Sequence, residues 1–407
     1  MCRWLPALAV VVTCASPVWA HGPAPTPLRV LTTSGEIPDV VLTNIGIAVR
    51  TGESYAYVCP SLWGGLETPL AVGQPAGEFV VVGTDAIHVA TQANARSCSL
   101  TASPAFGPVD SSSIVALASG PDLTVIARVE GDQTSLIAAD PLAGAPFASY
   151  EMAGRADGAL WTGAEFIVSG ARPELAIHRV GDGDPTTARP TAPGPGSPQR
   201  LTPRYATASS VYFSAITDDG VELWRSEDRG ATLVRVLSGE LSLHGPAAWC
   251  GGVIAVLDGA IVADPEAPPL CDMELFSGRR FQCLQNAGSF TYACENRVLY
   301  SLRDAEIQPV FEVQDIDGPA CPDARCDRDW LHFGAEAGLV DTSPPDVGPD
   351  APDAGSDPGS DTTTDTGVVP DAAQPGDVAP AGRTGGSGCS LRGAASGWTS
   401  GWSWRRR

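Results

Sequence analysis

The stretch Leu223-Trp-Arg-Ser-Glu-Asp-Arg-Gly-Ala-Thr-Leu233 decides the fold of this chain. Its first half is a strand ending in a hydroxyl: an apolar pair, one variable residue, then Ser226 entering a turn. Its second half is turn chemistry. Asp228 offers carboxylate oxygens to backbone N–H groups of a tight hairpin, Gly230 tolerates positive φ, and Thr232 caps the strand that follows. The strand half recurs at Ala48-Val-Arg-Thr51, His88-Val-Ala-Thr91, Leu136-Ile-Ala-Ala139, Ala176-Ile-His-Arg179, Ile261-Val-Ala-Asp264 and Val298-Leu-Tyr-Ser301. Successive copies end 40, 48, 40, 47, 38 and 37 residues apart.

A period near 40 residues is four short strands long, which is the blade length of a β-propeller. The rest of residues 28–313 agrees. Runs such as Asp39-Val-Val-Leu-Thr-Asn, Glu78-Phe-Val-Val-Val-Gly and Val211-Tyr-Phe-Ser-Ala-Ile are β-branched and short, and no helical period is sustained between them. The expectation is an all-β protein with a propeller of about seven four-stranded blades, or six if one weak copy is an insertion. A sandwich does not need seven evenly spaced copies of one strand.

The turn resembles the Asp-box (BNR) motif, Ser-x-Asp-x-Gly-x-Thr-Trp, of sialidase-like and sortilin-like propellers. Ser226, Asp228, Gly230 and Thr232 match, and Leu233 replaces the usual Trp. Other copies are eroded, as at Thr51-Gly-Glu-Ser-Tyr and Ser301-Leu-Arg-Asp304. The resemblance implies that these residues form the turn and do not contact a ligand. It also raises sialidase chemistry, in which an Arg triad grips a carboxylate beside a Tyr–Glu nucleophile pair and an acid Asp. That family's first Arg lies in a Phe/Tyr-Arg-Ile-Pro motif. The nearest match here, Ala171-Arg172-Pro173, is mid-chain and lacks both the aromatic and the Ile. No catalytic, cofactor-binding or metal-binding residue is assigned from the sequence, and fold alone carries no function.

Composition bounds the function classes. The formal net charge is −22, against the clustered positive charge that nucleic-acid binding needs. All 25 basic residues are Arg, so Schiff-base and Lys-base chemistry are excluded. The 45 Gly and 36 Pro favour turns over long helices. The five His, at 21, 88, 178, 244 and 332, show no metal spacing and no nucleophile partner. His88 and His178 lie mid-strand in the repeat, where a structural role is expected. Cys321 and Cys326 with His332 lack the second Cys pair of a zinc site. Asp315, Asp317, Asp323, Asp327 and Asp329 do not follow a calcium-loop spacing, so a solvated acidic surface is expected. Trp63, Trp161, Trp224, Trp249 and Trp330 could stack on sugars, although blade packing is the default.

Compartment and domain order follow. Residues 1–20 read as a secretory signal: Arg3, an apolar run from Leu5 to Val12, and the small-residue site ending at Ala20. A lipid anchor at Cys14 is the second choice. An exported chain with Cys59, Cys98, Cys250, Cys271, Cys283, Cys294, Cys321 and Cys326 is expected to hold them as disulfides. Local spacing suggests Cys283–Cys294, Cys321–Cys326 and Cys250–Cys271, leaving Cys59 with Cys98. Residues 21–340 form the propeller domain. Residues 341–383 form an acidic Asp/Pro/Thr-rich linker, expected to be disordered because it cannot bury enough apolar surface. Residues 384–407 resemble the myxobacterial C-terminal sorting tail (MYXO-CTERM), with Cys389-Ser390 and Arg405-Arg406-Arg407 in place and three Trp where that family has an apolar span. The resemblance implies attachment to the cell envelope through the tail. The expected partner is a protein or a glycan, at the cell surface or outside the cell.

Overall fold

The computed structural model describes residues 25–339, apart from segments 65–69, 75–76, 171–175, 182–185, 191–197 and 304–305. The signal, linker and Cys389 tail lie outside the described residues. The 40-residue units fold as antiparallel meanders, and seven such sheets follow one another along the chain. Blades 1 to 7 span residues 27–58, 71–102, 114–153, 156–188, 200–239, 243–263 and 283–312. Every copy of the repeated strand falls on the third strand of a blade. These are Gly46–Thr51, Ile87–Thr91, Gln133–Ala139, Ile177–Val180, Gly220–Ser226, Ala260–Ala263 and Val298–Arg303. The period thus counted blades, and the count is seven.

The core explains why. It is divided into seven apolar clusters, one at each seam between neighbouring blades. Leu31, Val40 and Ile47 of blade 1 meet Phe79 and Val81 of blade 2, and Tyr212 and Leu223 of blade 5 meet Val253 and Ala255 of blade 6. The ring closes where Val30, Tyr55 and Tyr57 of blade 1 meet Tyr292, Leu299 and Phe311 of blade 7. A middle strand is therefore covered on both faces and reads as an unbroken apolar run. Phe166–Gly170, for example, is buried at all five residues. Close seams also demand small residues: a Cβ on Gly73 of blade 2 would lie 1.5 Å from the Leu31 carbonyl oxygen of blade 1.

Two blades depart from four strands. Blade 6 has three, and its chain leaves Ala263 for a 3-10 turn at Met273–Phe276, tied back by the Cys250–Cys271 disulfide. Blade 1 gains a fifth strand, Ile316–Pro319, parallel to its outer strand Ser54–Val58 with Ile316 opposite Tyr55. A helix follows over Ala324–Ala337, capped by the Asp323 carboxylate at its start and by Gly338 at φ 72° at its end. The spacing Cys326, Trp330, Phe333 places one apolar stripe on this helix, and Phe333 stacks on Tyr57 at 4.7 Å.

That helix corrects two disulfides. Cys283–Cys294 and Cys250–Cys271 pair as the local spacing suggests. Cys321 and Cys326 do not pair with each other, nor Cys59 with Cys98. Cys59 pairs with Cys326 and Cys98 with Cys321, at Cα separations of 5.2 and 5.8 Å. The first helical turn carries Cys326 into the blade 7–blade 1 seam, where Cys59 ends the outer strand of blade 1. Cys321 is left beside Cys98, in the turn after blade 2's short helix Gln92–Arg96. Closure of the ring makes partners of residues that local spacing keeps apart.

Candidate functional site

The first strand of every blade lines one central channel, a cavity of about 550 Å³. Its described lining contains Arg29 from blade 1, Ser119 from blade 3, Asp157 and Trp161 from blade 4, Arg204 and Tyr205 from blade 5, and His244 from blade 6. Blade 7 adds Gln285 and Asn286, but both amides bond the backbones of neighbouring blades. Gln285 Nε2 donates to the Val30 carbonyl at 3.3 Å, and Asn286 exchanges hydrogen bonds with the Ala248 backbone at 2.7 and 3.1 Å.

The charges in the channel are unevenly matched. Asp157 is the one carboxylate in the described lining. Its Oδ1 accepts from Arg200 Nε and Nη2 at 3.0 and 2.7 Å, so that pair is neutral. Arg29 donates to the Ala71 carbonyl at 3.3 Å, and Arg204 Nε donates to Ser214 Oγ at 2.8 Å. Neither guanidinium meets a carboxylate among the described residues. Both side chains are open to water in the channel, yet protein surrounds them. Dehydration lowers the pKa of each, and the Arg204 charge lowers Arg29 further. His244 is likewise lowered, first by dehydration and then by Arg204. The channel thus holds two confined positive charges and a neutral imidazole.

The residues singled out in the sequence lie elsewhere. Ser226, Asp228, Gly230 and Thr232 form the hairpin turn between Gly220–Ser226 and Val234–Gly239. The Asp228 carboxylate accepts from Ser226 Oγ at 2.8 Å, from the Thr232 backbone N–H at 2.8 Å and from Thr232 Oγ1 at 2.6 Å. The Gly230 N–H donates to Ser226 Oγ at 2.6 Å. These bonds hold the Asp228 pKa below the usual carboxylate range, the Thr232 hydroxyl contributing most. Gly230 sits at φ +100°, where a Cβ would also strike Ile177 of blade 4 at 2.7 Å.

Trp63, Trp224 and Trp249 are buried in seams. Trp330 packs on Tyr57 and Phe333. Trp161 lines the channel with its ring against Phe166 at 4.7 Å. His178 is buried with its Nδ1 3.0 Å from the Thr187 hydroxyl, and burial takes its pKa down to about 4. Cys321 and Cys326 spend their sulfurs on disulfides; with Cys98 the three Sγ atoms lie within 4.8 Å of one another. Asp315 caps the Glu312 backbone, Asp323 caps the helix, and Asp329 accepts from Ser61 Oγ at 2.6 Å. Arg172 lies outside the described residues. Sequence reasoning missed Arg29 and Arg204. The available signal was an Arg set among apolar residues in the first strand of a 40-residue unit.

No family model matches the sequence. No curated protein matches it either. Among solved structures, the chain is similar to the β-propeller domain of the trilobed protease from Pyrococcus furiosus, described as having an open velcro topology. Identity is 12%, with 71% of this chain and 98% of that chain covered and a TM-score of 0.47. It is also similar to the extracellular domain of the putative hybrid two-component system BT4673 from B. thetaiotaomicron, at 11% identity, covering 68% of this chain and 38% of that one, TM-score 0.47. A computationally designed protein, Ika8, matches at 11% identity over 72% of this chain and 91% of its own, TM-score 0.45. The fold assignment rests on the chain's own seven sheets.

Proposed function

We propose that this chain is an exported, non-catalytic propeller that recognises a protein or glycan partner from the cell envelope or outside the cell. The observation that carries the reading is the channel. It is an open cavity with confined cations and with Trp161 and Tyr205 in its lining, and that described lining pairs no nucleophile with a base. Four disulfides fit an oxidising compartment. The acidic linker and the Cys389 tail would hold the propeller away from the envelope.

Glycan and surface-protein arrays probed with the full exported chain test recognition. A partner whose capture is lost with Val115→Trp, which narrows the channel, is the expected result. Capture by no array, or capture indifferent to that substitution, would overturn recognition through the channel. Cell fractionation tests export, and an unprocessed chain confined to the cytoplasm would sink it. Intact-mass analysis tests the tail, because Arg407 still attached after export would remove the sorting role.

The competing reading is a degenerate glycoside hydrolase, favoured by Arg29, Arg204 and Tyr205 standing in one channel. No Glu accompanies Tyr205 in the described lining. Turnover of a fluorogenic acidic glycoside, lost on Tyr205→Phe, would favour that reading over recognition.

A further inference from the structure

Arg29 and Arg204 are the two arginines in the described lining of the channel. Ten other arginines lie against Asp or Glu: those at 50, 128, 179, 200, 225, 229, 235, 279, 303 and 325. Carboxylates are in large surplus, with 47 Asp and Glu against 25 Arg. Shortage of counter-charge therefore does not explain why Arg29 and Arg204 have none among the described residues. They reach the same cavity from blades 1 and 5, while the one lining carboxylate, Asp157, is ion-paired through its Oδ1 with Arg200. Two like charges confined in partly dehydrated space repel each other, and a bound anion relieves both the repulsion and the lost hydration. Each guanidinium still has N–H groups to donate beyond its bond to Ala71 or Ser214, in the planar fork that suits oxygen anions.

We propose that the channel is a binding site for a small oxyanion of two negative charges, held between the guanidiniums of Arg29 and Arg204 with His244 as a third polar contact. This rests on the recognition reading of the channel. The cavity of about 550 Å³ has the size of a small-molecule site and admits one such group with a modest organic body. A phosphate monoester and a dicarboxylate share this chemistry. Two guanidiniums from different blades match a ligand with charge on more than one side better than a single carboxylate.

The test is calorimetric titration of the full chain with glycerol phosphate and with malonate at low salt. Saturable binding of one ligand per chain is expected, with the preferred probe telling phosphate from dicarboxylate chemistry. Losing one charge-assisted contact is worth about tenfold or more in affinity. Arg29→Gln and Arg204→Gln should each weaken binding by at least that factor, and the double variant should abolish it. Arg29→Lys, which keeps the charge and loses the fork, should fall between. Arg303→Gln, on the third strand of blade 7 outside the channel lining, should bind as the parent does. Folding of each variant is checked by its thermal midpoint, and stabilisation by the probe should disappear with the channel arginines. Absence of saturable binding for both probes, or equal affinity in parent and double variant, overturns the inference.

The two readings fail separately. An array partner lost with Val115→Trp but kept by Arg29→Gln/Arg204→Gln would leave a recognition channel with a neutral ligand. A partner indifferent to all three substitutions would remove the channel reading itself.

Discussion

The blade 5 hairpin and the ring closure are both held by specific bonds, but at opposite ranges along the chain. In the hairpin, Ser226, Asp228, Gly230 and Thr232 satisfy one another within four residues. At the closure, Cys59 and Cys326 are 267 residues apart and Cys98 and Cys321 are 223 apart. The fifth strand of blade 1 also arrives from beyond blade 7. A local device forms wherever its few residues occur together. A closure device has meaning only after seven blades have brought the two ends of the domain side by side. Stability should therefore depend far more on the second than on the first.

The largest expected effect breaks the closure. Removing both closure disulfides, Cys59–Cys326 and Cys98–Cys321, as a quadruple Ser variant should cost about 5 kcal/mol, because together they close a very long loop. Chemical denaturation under non-reducing conditions measures it. A loss no greater than that from removing Cys283–Cys294, which spans 11 residues, would contradict the comparison.

A second effect sharpens it. His178 was legible as a mid-strand residue, but only blade packing buries it and lowers its pKa to about 4. The unfolded chain binds a proton near pH 6.5 and the folded one does not, so stability falls as pH drops between about 6.5 and 4. A buried shift of this size corresponds to about 3 kcal/mol across that window. His178→Gln should flatten this part of the pH–stability curve; an unchanged slope would show that other groups set it.

The hairpin should matter least. Asp228→Ala removes the acceptor of three hydrogen bonds in an exposed turn, and about 1 kcal/mol is expected from the thermal midpoint. Gly230→Ala should cost more than Asp228→Ala. It meets both a positive φ and the Ile177 side chain of the neighbouring blade, which makes it local and tertiary at once. If the Asp228 change were the costlier of the two, the turn would be more than a local closure.

The sequence by itself determined the class and the repeat, and it favoured seven blades over six. Strand type, turn chemistry and a 40-residue period are properties of neighbours along the chain, and all seven copies fall on third strands. Local spacing also pointed to the two short-range disulfides, 11 and 21 residues apart, although it pointed equally to Cys321–Cys326, which does not form. The terminal helix was within reach, through the Asp323 cap and the Cys326, Trp330, Phe333 stripe, but the acidic residues around it obscured the pattern. Only the tertiary structure decided the closure disulfides and the channel. Arg29 and Arg204 are 175 positions apart in the sequence, each on the first strand of its blade. They become one electrostatic site because inner strands of different blades face a common axis, and that convergence exists only once the ring is closed.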